Sequence, residues 1–338
     1  MIDFVVVKTR SRVRSGWGTV LVAMVGLLAG GPVFASGPTS PAPVRLFVPF
    51  MAGGEADGSA RNLVRSAARA GAGTFEITYL TAESGAAAAR TVGLAVPDGH
   101  TLLLGRVGNV AILPALSPRT AVPASGFTVL AVLDQAPLIC AVRSGSPIGS
   151  MQELLAAIAA APGRLRYSTA GAGTLQHVAV RYLLALGGLA DDAARPLHFG
   201  QGSQVTQALI QGEVDFSCNN ARSIVPAVQS GALRGLMTTA QGRLRSLPRL
   251  RNAAELGLGD MQQLQGWSAL LGPAGMSAQA VGRWRDLLDQ VAADPEWQAG
   301  TEALAASARI RATPDPAQFL RQQAQFYERL VATLEARP

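Results

Sequence analysis

In the segment Arg166–Gly188, RYSTAGAGTLQHVAVRYLLALGG, the types and spacing of the residues most clearly indicate a functional site. The segment combines a short strand, a glycine-rich turn with a hydroxyl at each end, and a helix. Such a turn exposes backbone N–H groups where the helix begins, so it can bind an anion without any cationic side chain. The pattern therefore predicts a site for a phosphate or a carboxylate.

The phosphate-binding motifs are not matched. A P-loop needs a lysine after its glycines, and the chain has no lysine after Lys8. The sequence GAGTLQ departs from the dinucleotide motif G-x-G-x-x-G, and no convincing acidic residue for a ribose follows it. A nucleophile elbow G-x-S-x-G is absent, and no Ser, His and Asp set has the order of a triad. Catalysis therefore has no positive support in the sequence.

Other chemistry-bearing residues are sparse. His100, His177 and His198 lie in three different local patterns without close spacing, so we expect neither a metal site nor a cofactor. The arginines are scattered without interleaved aromatic residues, which argues against nucleic-acid binding. Cys140 and Cys218 lie in strand-like stretches, and they could either form a disulfide or remain two buried thiols.

The first 35 residues have the pattern of a secretory signal. A basic segment, Lys8–Arg14, precedes a short apolar run and the small residues at Val33 and Ala35. We expect cleavage after Ala35, with a retained membrane anchor as the alternative. The 338-residue chain carries a net charge of +7; residues 1–35 account for +3, which leaves +4 for the remainder.

Strand-like and helix-like runs alternate after residue 42. The run VRLFVPF reads as a strand, and DGSARNLVRSAARA reads as a helix with Asp57 as its N-cap. The same rhythm continues to about residue 239 and is followed by amphipathic helices. This alternation predicts parallel sheets with helices on both faces, an α/β fold.

Several segments resemble one known family. They are RLFVPFMAGGEADGSAR, PDGHTLLLG, PGRLRYSTAGAGTLQH, GEVDF, SGALRGLMTT, LPRLRNAAELGL and QGWSALLGPAGM. In this order they are similar to the extracytoplasmic solute receptors of the tripartite tricarboxylate transporter type, the Bug or TctC-like proteins.

This resemblance implies a type II periplasmic-binding-protein (Venus flytrap) fold, with a ligand cleft between two α/β domains. It implies a first domain of residues 36–135 plus 239–338 and a second of residues 136–238. The function it implies is capture of a small organic carboxylate or amino-acid-like ligand by a periplasmic monomer. The partners would be the membrane permease subunits of a tripartite tricarboxylate transporter, or a sensor kinase.

In this family, backbone N–H groups of two loops hold the ligand carboxylate, which here implies Met51–Asp57 and Ser168–Thr174. Asp57 could instead serve only as a helix N-cap, and His177 could pack locally. The residues expected at the ligand are Met51, Ala52, Gly53, Gly54, Asp57, Ser168, Thr169, Gly171, Ala172, Gly173, Thr174, His177, Gln201 and Ser203.

The chain departs from the family pattern in three places. Met51 replaces a proline, and Glu55 is an acidic newcomer in the first loop. A third glycine-rich loop is reduced to TAESGAAAA, which keeps Gly85 and introduces Glu83. If both glutamates face the cleft, they would disfavour dicarboxylates and tricarboxylates. The hypothesis is a ligand with a cationic or amide group beside one carboxylate, such as an amino acid or a nicotinate-like compound.

Two other functions stay open at this point. The first is a secreted α/β hydrolase or transferase whose glycine loops bind an anionic substrate. The second is a degenerate receptor that acts as a scaffold or a sensor because its third glycine loop is lost.

Overall fold

A computed structural model describes residues 42–200 and 202–336. The predicted signal sequence and Gln201 lie outside the described residues. The strands are β1 Val44–Val48, β2 Phe75–Tyr79, β3 Thr101–Arg106, β4 Phe127–Arg143, β5 Arg166–Thr169, β6 Arg195–His198, β7 Phe216–Asn220, β8 Leu233–Thr238, β9 Gln265–Pro273 and β10 Ser307–Ala308. The helices are α1 Glu55–Arg69, α2 Ala86–Gly93, α3 Leu113–Leu116, α4 Met151–Ala160, α5 Leu175–Leu186, α6 Gly202–Gln211, α7 Ala221–Gln229, α8 Ala278–Ala293, α9 Pro295–Ala303 and α10 Pro316–Glu335.

The long strand β4 belongs to two sheets. Its residues from Phe127 to Pro137 pair with β9, and the first sheet continues through β3 and β1 to β2. Its residues from Leu138 to Arg143 pair with β7 and β8, and the second sheet continues through β5 to β6. A single strand thus passes from one sheet into the other, and the ends of strands from both sheets meet near that crossing.

The sheets are mixed, so the expectation of parallel sheets is wrong in part. Pairs β1–β2, β1–β3, β5–β6 and β5–β7 are parallel, as βαβ units require. Every strand that pairs directly with β4 is antiparallel to it. The difference arises because β4 and β9 run through the structure as long connecting strands and do not belong to βαβ units.

The helices cover apolar strand faces, as their sequence periodicity predicts. On α10, Leu320, Tyr327 and Leu330 are buried, and Trp267 of β9 donates from its indole nitrogen to Gln323 at 2.8 Å. The C-terminal helices therefore form a packing layer. None of the helices in the described part of the chain is both long and apolar enough to span a membrane.

Cys140 and Cys218 form a disulfide, which decides between the two possibilities left open by the sequence. They face each other directly on the antiparallel strands β4 and β7. Because Asn219 and Asn220 are the next and last residues of β7, the bond fixes the end of that strand close to the crossing point of β4. Sequence separation gave no indication of this cross-strand contact.

Candidate functional site

A central cavity lies where strand ends and helix starts from both sheets meet. The centre of a water molecule can occupy about 110 Å³ within it, well above the ~10–15 Å³ that one water needs. Much of its wall is apolar, with Phe50, Val107, Leu113 and Leu175 among the contributors. The remaining lining residues are Met51, Gly54, Glu55, Ala56, Ser84, Arg106, Gly108, Ala170, Gly173, Thr174, Gln176, Gly200, Gly202, Asn220 and Gly266.

Four helices begin at this cavity. Gly54, Thr174 and Asn220 are the N-caps of α1, α5 and α7, and α6 starts at Gly202. None of the three N-cap side chains accepts a hydrogen bond from its helix. Helices α4, α8, α9 and α10 do have such a cap, from Ser150, Ser277, Asp294 and Asp315. The first N–H groups of a helix have no acceptor within it, so α1, α5 and α7 present open donors and a positive dipole end here.

The first glycine turn is held by Asp57. Gly53 has a φ of +82°, and its N–H donates to Asp57 Oδ2 at 2.8 Å. The other oxygen, Oδ1, accepts from Arg61 Nε at 2.7 Å and from the Tyr79 hydroxyl at 2.6 Å. Burial alone raises the pKa of Asp57, but the hydrogen bonds from Tyr79, Gly53 and Arg61 outweigh it and lower that pKa. Asp57 is therefore the third residue of α1, and its carboxylate stabilises the turn that precedes the helix. The expectation that Asp57 is the N-cap is wrong, because α1 already begins at Glu55.

The second glycine turn is held by its own hydroxyls. Thr169 Oγ1 accepts from the Gly171 N–H at 3.1 Å and lies 2.6 Å from His198 Nδ1. The Thr174 hydroxyl donates to the Gly171 carbonyl at 2.7 Å. Ser168 is fully buried and donates to the carbonyl of Val205 at 2.9 Å. Thr169 thus stabilises the turn and Ser168 joins the end of β5 to α6, whereas Gly173 and Thr174 line the cavity.

His177 supports the same turn. Its Nδ1 accepts from the Gly173 N–H at 3.3 Å, an arrangement that requires the neutral imidazole. Burial, together with Arg181 and His198, lowers the pKa of His177 to about 4. Its ring stacks on Tyr167 at 6.4 Å and lines a different surface cavity. The sequence alternative of local packing therefore describes its position.

A charged pair bridges the cavity wall. Glu55 Oε2 accepts from Arg106 Nη2 at 3.2 Å and from Asn220 Nδ2. Arg106 Nη1 also donates to Ser268 at 2.6 Å and lies 3.8 Å from Asp134. Burial raises the pKa of Glu55, and the charges of Arg106 and Arg222 offset this only in part. Glu55, from the start of α1, is thereby tied to the end of β7 in the second sheet.

The third loop, which has lost most of the family's glycines, places Glu83 and Ser84 on opposite sides. Glu83 and Ser84 have φ values of 54° and 55°, which are unusual for residues other than glycine. Ser84 lines the cavity, whereas Glu83 pairs with Arg90 at 2.6 Å and is exposed. At Gly85 a Cβ atom would lie 2.6 Å from Pro49, so this position has no room for a side chain. Of the two acidic newcomers, only Glu55 faces the cavity.

The structure thus brings together part of the expected set. The expected residues that line the central cavity are Met51, Gly54, Glu55, Gly173 and Thr174. Gly53 and Ser203 line an adjoining cavity that shares Gly54, Glu55 and Gly202 with the central one. The expected residues outside both linings are Ala52, Asp57, Ser168, Thr169, Gly171, Ala172, His177, Glu83 and Gly85. Gln201 lies outside the described residues.

Sequence reasoning missed the polar residues Ser84, Arg106, Gln176 and Asn220. Arg106 and Asn220 are the last residues of β3 and β7, and the residues before them in both strands are buried. Polar residues at the ends of buried strands are a recognisable signal for a binding cleft in α/β proteins. In the described part of the chain, no group of three or more His, Cys, Asp or Glu residues could hold a metal ion.

The sequence matches the profile of the tripartite tricarboxylate transporter family receptor, TctC, over residues 60–334. It is 26% identical to the protein BugT of Bordetella pertussis over 281 residues, which are 78% of this chain and 81% of BugT. MatC from Rhodopseudomonas palustris, solved with bound malate, is 26% identical with a TM-score of 0.77, and the match covers 86% of this chain and 98% of MatC. The periplasmic binding protein BugD shares the two-domain fold at a TM-score of 0.74 and 22% identity, over 87% of this chain and 98% of BugD.

These matches confirm the resemblance, the two-domain α/β fold and the receptor interpretation over the hydrolase one. The chain belongs to the TctC family, whose members are periplasmic solute receptors and not enzymes.

Proposed function

We propose that this protein captures a small organic carboxylate in the central cavity. The observation that carries the proposal is the convergence of four helix starts on one cavity with largely apolar walls. Aimed N–H donors and dipole ends stabilise a carboxylate, and apolar walls fit the carbon skeleton of a small organic acid. The malate bound to MatC supports a carboxylate as the ligand class.

The ligand's carboxylate lies between the starts of α1 and α5 in this proposal. Gly54 and Thr174 leave the first N–H groups of these helices open, and both residues line the cavity. Helix α1 follows a strand of the first sheet and α5 follows a strand of the second. A ligand held by both helix starts therefore stabilises the closed arrangement of the two domains. The proposed limits of the domains are residues 36–135 plus 239–338 and residues 136–238. The division of β4 at Pro137 and Leu138 between the two sheets supports them.

The receptor delivers this ligand to the permease subunits of a tripartite tricarboxylate transporter, with a sensor kinase as the alternative recipient. Membership of the receptor family supports the transporter. The basic and apolar pattern of residues 1–35 supports export to the periplasm with cleavage after Ala35. The mature protein acts as a monomer without a cofactor.

A thermal-shift screen of residues 36–338 against small carboxylates, amino acids and amides at millimolar concentration tests this proposal. A compound that binds only the native state at 100 times its Kd adds about 2.7 kcal/mol of stability, which raises the Tm by several degrees. The control is the methyl ester of each compound that gives a shift, because the ester keeps the skeleton and removes the charge. Equal shifts with acid and ester, or no shift with any carboxylate, would contradict the proposal.

A further inference from the structure

Glu55 pairs with Arg106, the one strongly basic side chain among the described residues that line the central cavity. Both terminal nitrogens of Arg106 already contact acceptors: Nη2 contacts Glu55 at 3.2 Å and Nη1 contacts Ser268 at 2.6 Å. The Glu55 and Arg106 side chains are only 19% and 12% exposed. Within the described lining, the formal charges of this pair cancel. A ligand therefore finds the guanidinium already neutralised by the protein's own carboxylate.

The opposite carboxylate oxygen is also fixed. Glu55 Oε1 lies 3.4 Å from the Ser223 hydroxyl, and Oε2 accepts from Asn220 Nδ2. The Glu55 side chain thus contacts Arg106 of β3, Asn220 of β7 and Ser223 of α7. These contacts leave it little freedom to turn away when a ligand enters. Because Arg106 is already paired with Glu55, a second carboxylate on the ligand would find no unpaired cation in the described cavity lining, and close to Glu55 it would be repelled by the carboxylate there.

Asn220 adds a second, independent feature. Its side chain is 6% exposed, it lines the cavity, and its Oδ1 is buried without a hydrogen-bond partner among the described residues. That oxygen lies beside Gly266, where a Cβ would be 3.1 Å away. The orientation of the amide follows from Glu55, because a carboxylate accepts from the nitrogen and not from the oxygen. An unpartnered buried acceptor calls for a donor on the ligand.

We infer that Glu55 and Asn220 select the ligand's second polar group: the receptor takes a carboxylate that also carries an N–H donor, an ammonium or a carboxamide, in preference to a dicarboxylate. This inference rests on the proposed function, in which the first carboxylate lies at the helix starts. Glu55 acts as a built-in replacement for the second carboxylate of a diacid, and Asn220 Oδ1 accepts from the ligand's N–H.

Matched ligand pairs test this selection. The probes are succinamate and succinate, adipamate and adipate, and 4-carbamoylbenzoate and terephthalate, each pair differing by one carboxamide in place of one carboxylate. Calorimetry on the wild-type protein should give a Kd at least about 10-fold lower for the monoamide in each pair that binds. A diacid that binds the wild-type protein as tightly as its monoamide does would overturn the inference, and no variant is needed for that result.

The variant Glu55→Gln removes the charge at nearly constant shape, so that Arg106 Nη2 can pair with a ligand carboxylate while Nη1 keeps its contacts with Ser268 and Asp134. We expect the preference for the monoamide to fall about 10-fold or to reverse. The matched control is Glu83→Gln, which removes the exposed acidic residue paired with Arg90 and should keep the wild-type ratio. Circular dichroism checks that both variants fold. An unchanged ratio in a folded Glu55→Gln protein overturns the inference but not the receptor function, whereas the absence of a shift with every carboxylate of the thermal-shift screen, these probes included, overturns both.

Discussion

The two glycine turns at the cavity are built on one plan and differ in charge. In each, a glycine with positive φ donates its N–H to the side chain four residues later: Gly53 to Asp57 and Gly173 to His177. The first turn uses a carboxylate and is followed directly by the charged Glu55. The second uses a neutral imidazole, and its helix starts with uncharged residues.

This difference in charge gives the two turns different roles in ligand binding. In both turns the internal acceptor fixes the glycine, so the next N–H groups, at the helix start, remain available to a ligand. The charge lies only on the first turn, where Glu55 pairs with Arg106. We therefore expect changes at the first turn to alter stability and selectivity, and changes at the second to alter affinity and pH dependence.

The largest effect is expected from breaking the ion pair of the first turn. Arg106→Gln removes the cation that contacts the buried Glu55 carboxylate, leaving the more distant charge of Arg222, and should lower the free energy of unfolding by about 3 kcal/mol. Urea denaturation measures it. The control is Arg90→Gln, which breaks the exposed pair with Glu83 and should leave the denaturation midpoint unchanged, although that pair is shorter, at 2.6 Å. Equal losses in the two variants would show that burial does not set the importance of these pairs.

A smaller loss should follow when the internal acceptor of the first turn is changed. Asp57→Asn replaces a carboxylate that accepts from Gly53, Arg61 and Tyr79 with a group that has only one acceptor oxygen. We expect a loss of about 2 kcal/mol, because hydrogen bonds to a charged group are the stronger ones. Unfolding in urea again provides the measurement. A variant as stable as the wild type would mean that Asp57 does not hold the turn.

The second turn can be probed by two matched glycine substitutions. Gly173 and Gly188 have φ values of 73° and 69°, so an alanine costs each about 1 kcal/mol of backbone strain. Gly173 lines the cavity, and a new Cβ there would meet the Leu116 side chain at 2.9 Å, whereas a Cβ at Gly188 would meet nothing within 4 Å. We expect Gly173→Ala to weaken carboxylate binding about 10-fold, equivalent to ~1.4 kcal/mol. Calorimetry with the best ligand of the thermal-shift screen measures this, and a similar loss in Gly188→Ala would count against a ligand-facing turn.

The smallest effect concerns pH. Because burial lowers the pKa of His177 to about 4, the unfolded chain binds a proton between about pH 6.5 and pH 4 that the folded protein does not. The stability from this group is therefore present above pH 6.5 and is lost as the pH falls towards 4. His177→Asn, whose side-chain oxygen can accept from Gly173 without titrating, should flatten this part of the stability profile. An unchanged slope between pH 6.5 and 4 would exclude His177 as its source.

Local patterns predicted the turns, and only the fold supplied the rest of the site. Glycines beside hydroxyls identify both turns because the constraint lies within a few neighbouring residues. The hydroxyls of Ser168 and Thr169 were expected at the ligand, but they form hydrogen bonds within the protein, Thr169 with the turn and Ser168 with the Val205 carbonyl of α6. Arg106 and Asn220 carry no local motif; they meet Glu55 only because β3, β9, β4 and β7 lie side by side.

Glu55 and Glu83 also show that the sequence alone does not predict which side chains face the cavity. Glu55 and Glu83 look alike in sequence, because each is an acidic residue in a loop that departs from the family pattern. Glu55 faces the cavity because it is the first residue of α1. Glu83 faces outward because the left-handed backbone of its loop directs it towards Arg90. Side-chain direction in an irregular loop depends on backbone angles that residue types alone do not specify.

A crystal structure of residues 36–338 with the tightest ligand of the screen would test the central claim most directly. The account predicts the ligand in the central cavity, with carboxylate oxygens within about 3.2 Å of backbone N–H groups at the starts of both α1 and α5. A ligand bound elsewhere, or a carboxylate held by Arg106 alone with both helix starts empty, would contradict it.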